Sequence, residues 1–184
     1  MDRIWLNSYQ KGVAPDIDEG ALQTLSQMMA TCCLEFHDAV AFSCMGQSMT
    51  YGELSSQAES FAAYLLGHLG FKKGDRLAIM MPNILQYPIA LHGTLRAGLT
   101  VVNVNPLYTA RELKHQLNDS GCEVLVILEN FAHTFQQIAE EKTVRKVIVA
   151  SMGDMFSFPK NYLINFVVRY VKKMVPAYEL KNQV

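Results

Sequence analysis

The sequence lacks the short patterns that mark most nucleotide, metal and hydrolase chemistry. It contains no GxGxxG and no GxxxxGK[ST], so no glycine-rich run is written to cradle a phosphate with backbone amides. Its five histidines, His37, His68, His92, His115 and His133, show no HExxH or other ligand spacing, and are read as surface or core residues. There is no Gly-x-Ser-x-Gly elbow to present a nucleophile. Only four cysteines occur, Cys32, Cys33, Cys44 and Cys122, with no CxxC pair, which excludes a disulfide framework and suits reduced thiols. Charge is sparse at 18% and the formal net charge is −1, which argues against a globally basic nucleic-acid binder. No apolar run approaches the roughly 20 residues of a spanning helix. The opening MDRIWLNSYQKG has no apolar core of a signal peptide, so a cytoplasmic location is the expectation.

What is present is a globular chain of 184 residues, half of them hydrophobic, of a size for one domain. Leu22, Leu25, Met29, Cys32 and Phe36 fall at the spacing of one helical face over residues 21–36. Two strand-like runs then flank Gly46-Gln47, where a leading glycine suits a type II′ hairpin. Thr50 and Glu53 form a T-x-x-E capping box for a helix to about Leu69. Its expected buried face is Leu54, Ala58, Phe61, Leu65 and Leu69, with Gly70 as the stop. RLAIMM reads as a buried strand. Asn83 and Gln86 suggest a second capping pair, although Pro88 implies a kink or a start nearer Tyr87. Ala90 and Gly93 allow that helix to approach a neighbour closely, and Gly98 ends it.

Val101, Val102 and Val104 then predict another buried strand, and Pro106 keeps Asn105 extended. Thr109 and Glu112 repeat the capping box, Leu113 and Leu117 share the inner face, and Gly121 stops the helix. CEVLVIL is a strand, residues 131–141 a helix, and KVIVA the last strand of the series. Alternation of this kind predicts an α/β fold with a mainly parallel sheet flanked by helices. Asn83 and Asn105 fall just after strands, where ligands gather in open α/β sheets, but each equally serves as a cap or turn.

Beyond Ser151 the character changes. Residues 155–178 hold no acidic residue but carry Lys160, Arg169, Lys172 and Lys173. Asn161, Asn165, Arg169, Lys172 and Lys173 line one side of a predicted helix that is otherwise apolar. Two readings stand: a surface helix packed on the domain, or an interfacial helix drawn to anionic lipid.

MTYGEL (49–54), KKGDRLAIMMPNILQYPIALHGTLRAG (72–98) and VVNVNPLYTARELKHQLNDSG (101–121) resemble the N-terminal part of bacterial long-chain fatty-acid CoA ligases, within the adenylate-forming superfamily. MTYGEL resembles the first core motif of that superfamily and LRAGLTVVNVNP the second. The resemblance implies that residues 1–155 are the N-terminal α/β subdomain of the large AMP-binding domain. Residues 156–184 are then a basic amphipathic helix and tail leading to an absent remainder, with the chain end at Val184 a fragment end. For the whole protein it implies ATP, magnesium and coenzyme A, a fatty-acid substrate, and peripheral attachment to the inner face of the cell membrane.

The family's phosphate loop, magnesium glutamate, ribose aspartate and lid lysine have no counterpart here. The resemblance therefore carries over no catalytic, cofactor-binding or metal residue, and the segment alone is expected to be silent and to bind no cofactor. Asn105, Pro106 and Tyr108 are candidates for the coenzyme A side of the cleft. A face that meets the remainder should be apolar and exposed, or covered by a second copy in a homodimer. The alternatives are a stand-alone α/β binding module and a membrane-recruitment module acting through residues 160–173.

Overall fold

The computed structural model describes residues 2–140 and 144–180. Its centre is a four-stranded parallel sheet in the order β4-β3-β5-β6, made of β3 (Arg76–Met80), β4 (Thr100–Asn103), β5 (Val124–Leu128) and β6 (Lys146–Ala150). The α/β expectation is borne out. All five residues of β5 are buried, because the strand lies inside the sheet and both of its faces are covered. The pleat sorts the core into two halves. Leu77, Ile79, Val124, Val126 and Leu128 pack beneath α2 (Tyr51–Ala63) and α3 (Gln86–Arg96). Ala78, Met80, Leu125 and Ile127 pack beneath α4 (Ala110–Ser120) and Phe135 of α5 (Ala132–Gln136).

The capping boxes form as written. Thr50 Oγ1 accepts from Glu53 N–H at 3.2 Å while Glu53 Oε2 accepts from Thr50 N–H at 2.8 Å. Thr109 and Glu112 do the same at the head of α4, and Gly121 ends that helix in the left-handed region at φ 62°. Leu113 and Leu117 are buried as expected. Leu54, Ala58 and Leu65 are buried too, Phe61 and Leu69 partly so, and α2 runs through a π turn (Tyr64–His68) to the stop at Gly70.

Five expectations are corrected. The first helix, α1 (Leu25–Glu35), starts at a capping box of Thr24 and Gln27, so Leu22 lies outside it. Only its Met29–Cys33 side meets the domain. Leu22, Leu25 and Phe36 stay 65%, 60% and 47% exposed, since the neighbouring helices reach one narrow stripe. The hairpin of β1 (Val40–Cys44) and β2 (Gln47–Thr50) turns at Met45-Gly46, not Gly46-Gln47. Cys44 pairs with Gln47, and both turn residues take positive φ, the type I′ pattern that matches strand twist.

Asn83 does not cap α3. That helix starts at Gln86 after an uncapped Leu85, and Pro88 sits in the first turn, where its missing N–H has no intrahelical acceptor to lose. Strand β4 is an edge, so Val101 and Val102 are half-buried, while the buried Val104 stands just beyond its end. The helix expected over 131–141 is short: a 3₁₀ turn (Glu129–Phe131) leads into α5. Residue 141 and residues 181–184 of the tail lie outside the described residues.

Close packing of α2 on α3 depends on Gly93. A Cβ there would stand 2.8 Å from the Ala58 carbonyl oxygen and 2.8 Å from Phe61 Cδ1. Gly93→Ala is expected to destabilise the fold by about 1–3 kcal/mol in urea denaturation, the range for overpacking a filled core. Gly67→Ala is the control. Its Cβ meets nothing within 4 Å, and its effect should be neutral or stabilising by up to about 1 kcal/mol.

Candidate functional site

The path of the chain creates a switch point. From β3 the chain crosses by α3 to β4 on one side, then returns by α4 past β3 to β5 on the other. The loops leaving β3 and β5 therefore part towards opposite faces, which opens a crevice at the carboxyl ends of these two strands. Glu129 and Asn130 follow β5 directly into that region.

Glu129 is fully buried, and its charge is met by Arg169 from the C-terminal segment. Oε2 accepts from Arg169 Nε at 2.9 Å and also from Nη2. Both donors fall on one oxygen, so the guanidinium offsets only part of the cost of a dry carboxylate. The pairing also holds the Arg169 guanidinium more firmly protonated. Glu129 Oε1 and Asn130 Oδ1 are buried with no partner among the described residues. Asn130 Nδ2 donates to the Met174 carbonyl at 3.0 Å.

The turn after β6 joins the same assembly. Ser151 Oγ accepts from Arg169 Nη2 at 3.4 Å, and the Ser151 carbonyl accepts from Gln86 Nε2 of α3 at 2.8 Å. Asp154 Oδ2 accepts from Ser151 N–H at 2.7 Å, and Asn165 Oδ1 accepts from Gly153 N–H at 2.7 Å. An open depression of about 410 Å³ lies beside the pair, lined by Glu129, Arg169, Tyr170 and residues 175–178. Burial raises the Tyr178 phenol, and the charge of Glu129 adds to the effect.

The candidates read from the sequence are not gathered here. Asn83 is exposed, and its backbone carbonyl accepts a long contact of 3.8 Å from the Cys44 thiol. Asn105 Oδ1 accepts from Leu107 N–H at 3.0 Å across Pro106, and Tyr108 N–H donates to the Asn105 carbonyl at 3.1 Å. That is a turn stabilised by its own side chain. Tyr108 packs partly against the α4 half of the core. Burial pushes the Cys33 and Cys122 thiols up, away from reactivity, and pushes His92 down.

The basic helix also differs from expectation. Helix α6 (Lys160–Phe166) continues as a π turn (Val167–Val171), and Lys172 and Lys173 lie beyond it. Its polar residues Asn165 and Arg169 turn towards the domain, while Tyr162, Phe166 and Tyr170 are 69%, 55% and 66% exposed.

The arrangement ties β5, β6, α3 and α6 together. Its one buried carboxylate is already paired. Among the described residues no three His, Cys, Asp or Glu side chains could hold a metal. Magnesium therefore finds no carboxylate cluster at this edge among the described residues. Sequence reasoning placed Arg169 on the basic helix but missed Glu129 and the pairing of the two, because they stand 40 positions apart. The available signal was a lone acidic residue ending an all-apolar strand.

Asp154 gives a test of this edge. Its side chain keeps an exposed side, yet desolvation on the protein side and the charge of Glu129 raise its carboxyl above the ordinary value, against lowering by the Ser151 N–H, Arg169 and Asn165. Folding therefore takes up a proton in the window between the ordinary and the raised value, and stability falls as pH rises through it. Asp154→Asn keeps an oxygen for Ser151 N–H and should abolish that fall. Urea titrations at about pH 3 and about pH 7 should show the variant gaining on the wild type only at the higher pH.

The match to known proteins covers this whole architecture. The family model described as AMP-binding enzyme matches residues 30–178. A long-chain-fatty-acid–CoA ligase of Escherichia coli O157:H7 is 50% identical over 184 residues, all of this chain and 33% of the relative. Its counterpart in Bacillus subtilis is 33% identical over 159 residues, 86% of this chain and 28% of the relative. The chain thus spans about a third of the length of the curated relatives it matches (33% for the Escherichia coli protein). A solved long-chain-fatty-acid-CoA ligase from Archaeoglobus fulgidus shares the fold at a TM-score of 0.63 and 23% identity, over 76% of this chain and 29% of that one. Mycobacterium smegmatis MbtA matches at 0.63 and 28% identity over 74% and 27%. With 149 of its positions inside the family model, residues 30 through 178, the chain belongs to the AMP-binding enzyme family.

Proposed function

We propose that the chain is the N-terminal scaffold of a long-chain fatty-acid CoA ligase. The observation that carries this is the 50% identity, held over the full 184 residues, to a relative of that name. In the whole protein the fatty-acid carboxylate attacks the α-phosphate of ATP to give acyl-adenylate and pyrophosphate. The thiol of coenzyme A then displaces AMP and leaves the thioester. The residues described here supply a framework for that chemistry: the sheet, its helices and the fixed carboxyl edge. Magnesium falls to other parts of the ligase in this reading, since among the described residues no three His, Cys, Asp or Glu side chains could hold it.

Residues 1–155 form the subdomain in this reading, and 156–184 lead onward. No side chain of α6 or its π turn is buried, which supports the division. The outward aromatic face of that helix, with Leu163 and Val171, is the surface on which the remainder of the ligase rests. Asn105, Pro106 and Tyr108 keep their candidacy on the coenzyme A side through their place beyond β4.

A second reading rests on the same face. Lys160 stands at one end of the exposed apolar stripe and Lys172 and Lys173 at the other, a pattern suited to resting on anionic lipid at the inner membrane surface. Among the described residues no helix is long and apolar enough to cross a membrane.

Oleate-dependent AMP release from ATP and coenzyme A separates scaffold from enzyme. The product of a longer reading frame should turn over and the 184-residue chain should not; turnover by the short chain would overturn the scaffold reading. Phosphatidylglycerol vesicles test the second reading. Binding should weaken with salt and with joint Lys160→Glu, Lys172→Glu and Lys173→Glu, and binding indifferent to both removes the lipid interpretation.

A further inference from the structure

Helix α6 leaves its largest apolar side chains outside. A surface helix ordinarily turns apolar side chains to the core and polar ones to water. Here Tyr162, Leu163, Phe166, Tyr170 and Val171 point outward, and nothing in the element is buried. On the inner side Ile164, Val167 and Val168 are half-buried, and the hydrogen bonds that fix the segment are the Arg169 fork on Glu129, the Gly153 N–H on Asn165 Oδ1, and Asn130 Nδ2 on the Met174 carbonyl. Gly153 is required at this seam, because a Cβ there would stand 2.5 Å from the Asn161 carbonyl oxygen.

The two sides of the helix therefore differ in kind. Apolar burial is broad and insensitive to small displacement, whereas a forked ion pair holds in one geometry and is lost when it opens. We infer that residues 160–174 are a strap that separates from the sheet as one unit, with Glu129–Arg169 as its clasp. Opening uncovers Glu129 and Asn130 at the switch point. Their unpartnered oxygens, Oε1 and Oδ1, fit this role, since they complete their hydrogen bonding when water or a ligand donor enters. The polar seam faces this domain and the apolar face is left for a partner body. When the two bodies shift, the strap travels with the partner and the clasp is the place that yields. That functional sense rests on the ligase reading, but the test below does not.

Hydrogen–deuterium exchange on the 184-residue chain, read as a function of urea below the unfolding transition, decides it. Amides of 160–174 should exchange through an opening insensitive to urea, while those of β5 (124–128) should follow global unfolding. Arg169→Met should speed exchange of 160–174 by roughly a hundredfold, the effect of stranding a buried charge, and Gly93→Ala, which strains the core away from the strap, should speed β5 while leaving 160–174 unchanged. Exchange of 160–174 that tracks β5 in urea would overturn the strap. So would a Gly93→Ala chain in which 160–174 and β5 speed up together, because the segment would then open only with the core. The wild-type measurement stands without any variant, and its result is independent of whether a longer product has ligase activity.

Discussion

The structure depends on one constraint: β5 is buried on both faces. A parallel strand in that position needs a helix layer above and below, and its neighbours must reach it by crossovers rather than hairpins. Layers on both faces force the chain to reverse direction across the sheet between β4 and β5, which makes the switch point. The carboxyl ends of β3 and β5 then have no crossover helix between them. Glu129 leaves the strand there, and its charge has to be answered. The C-terminal segment supplies the answer with Arg169, so the placement of α6 follows from the burial of a strand 32 residues before it, counted from Leu128 to Lys160.

Local features of the fold were legible in the sequence. Thr50 with Glu53 and Thr109 with Glu112 satisfy backbone donors within one turn, and no distant residue can alter that arithmetic. Gly121, Gly98 and Gly70 stop their helices for the same reason. The faces of α1 and α6 were not legible, because periodicity counts apolar positions without knowing which neighbour will cover them. On α1 the neighbours cover Cys33 and leave Leu25 open. On α6 a buried glutamate draws Arg169 inward and leaves Tyr162, Phe166 and Tyr170 outside. The turn at Met45-Gly46 was missed by one residue because strand pairing, not glycine position, sets which two residues form the loop.

The candidate site was the least legible part. Asn83 and Asn105 were in the right zone, beyond strand ends, yet their interactions are those of a loop and a turn. The residues that do converge come from four separate segments: Gln86, Glu129 with Asn130, Ser151 with Asp154, and Asn165 with Arg169. None has a spacing that a motif could record. Family resemblance supplied what geometry could not, since it reads the whole text at once and places the chain in the AMP-binding enzyme family.

The capping boxes carry one more consequence. Helices α1, α2 and α4 each close their first turn with a side chain three residues away. Such a start signal is complete as soon as its few residues exist, with no waiting for a distant strand. In a nascent chain synthesised at about 5–20 residues per second, that is well ahead of any later segment. The order of these elements along the chain is thus also a schedule. Three helix starts are written into the chain before the apolar face of α6 is made, and each needs only the packing of its own apolar face to persist.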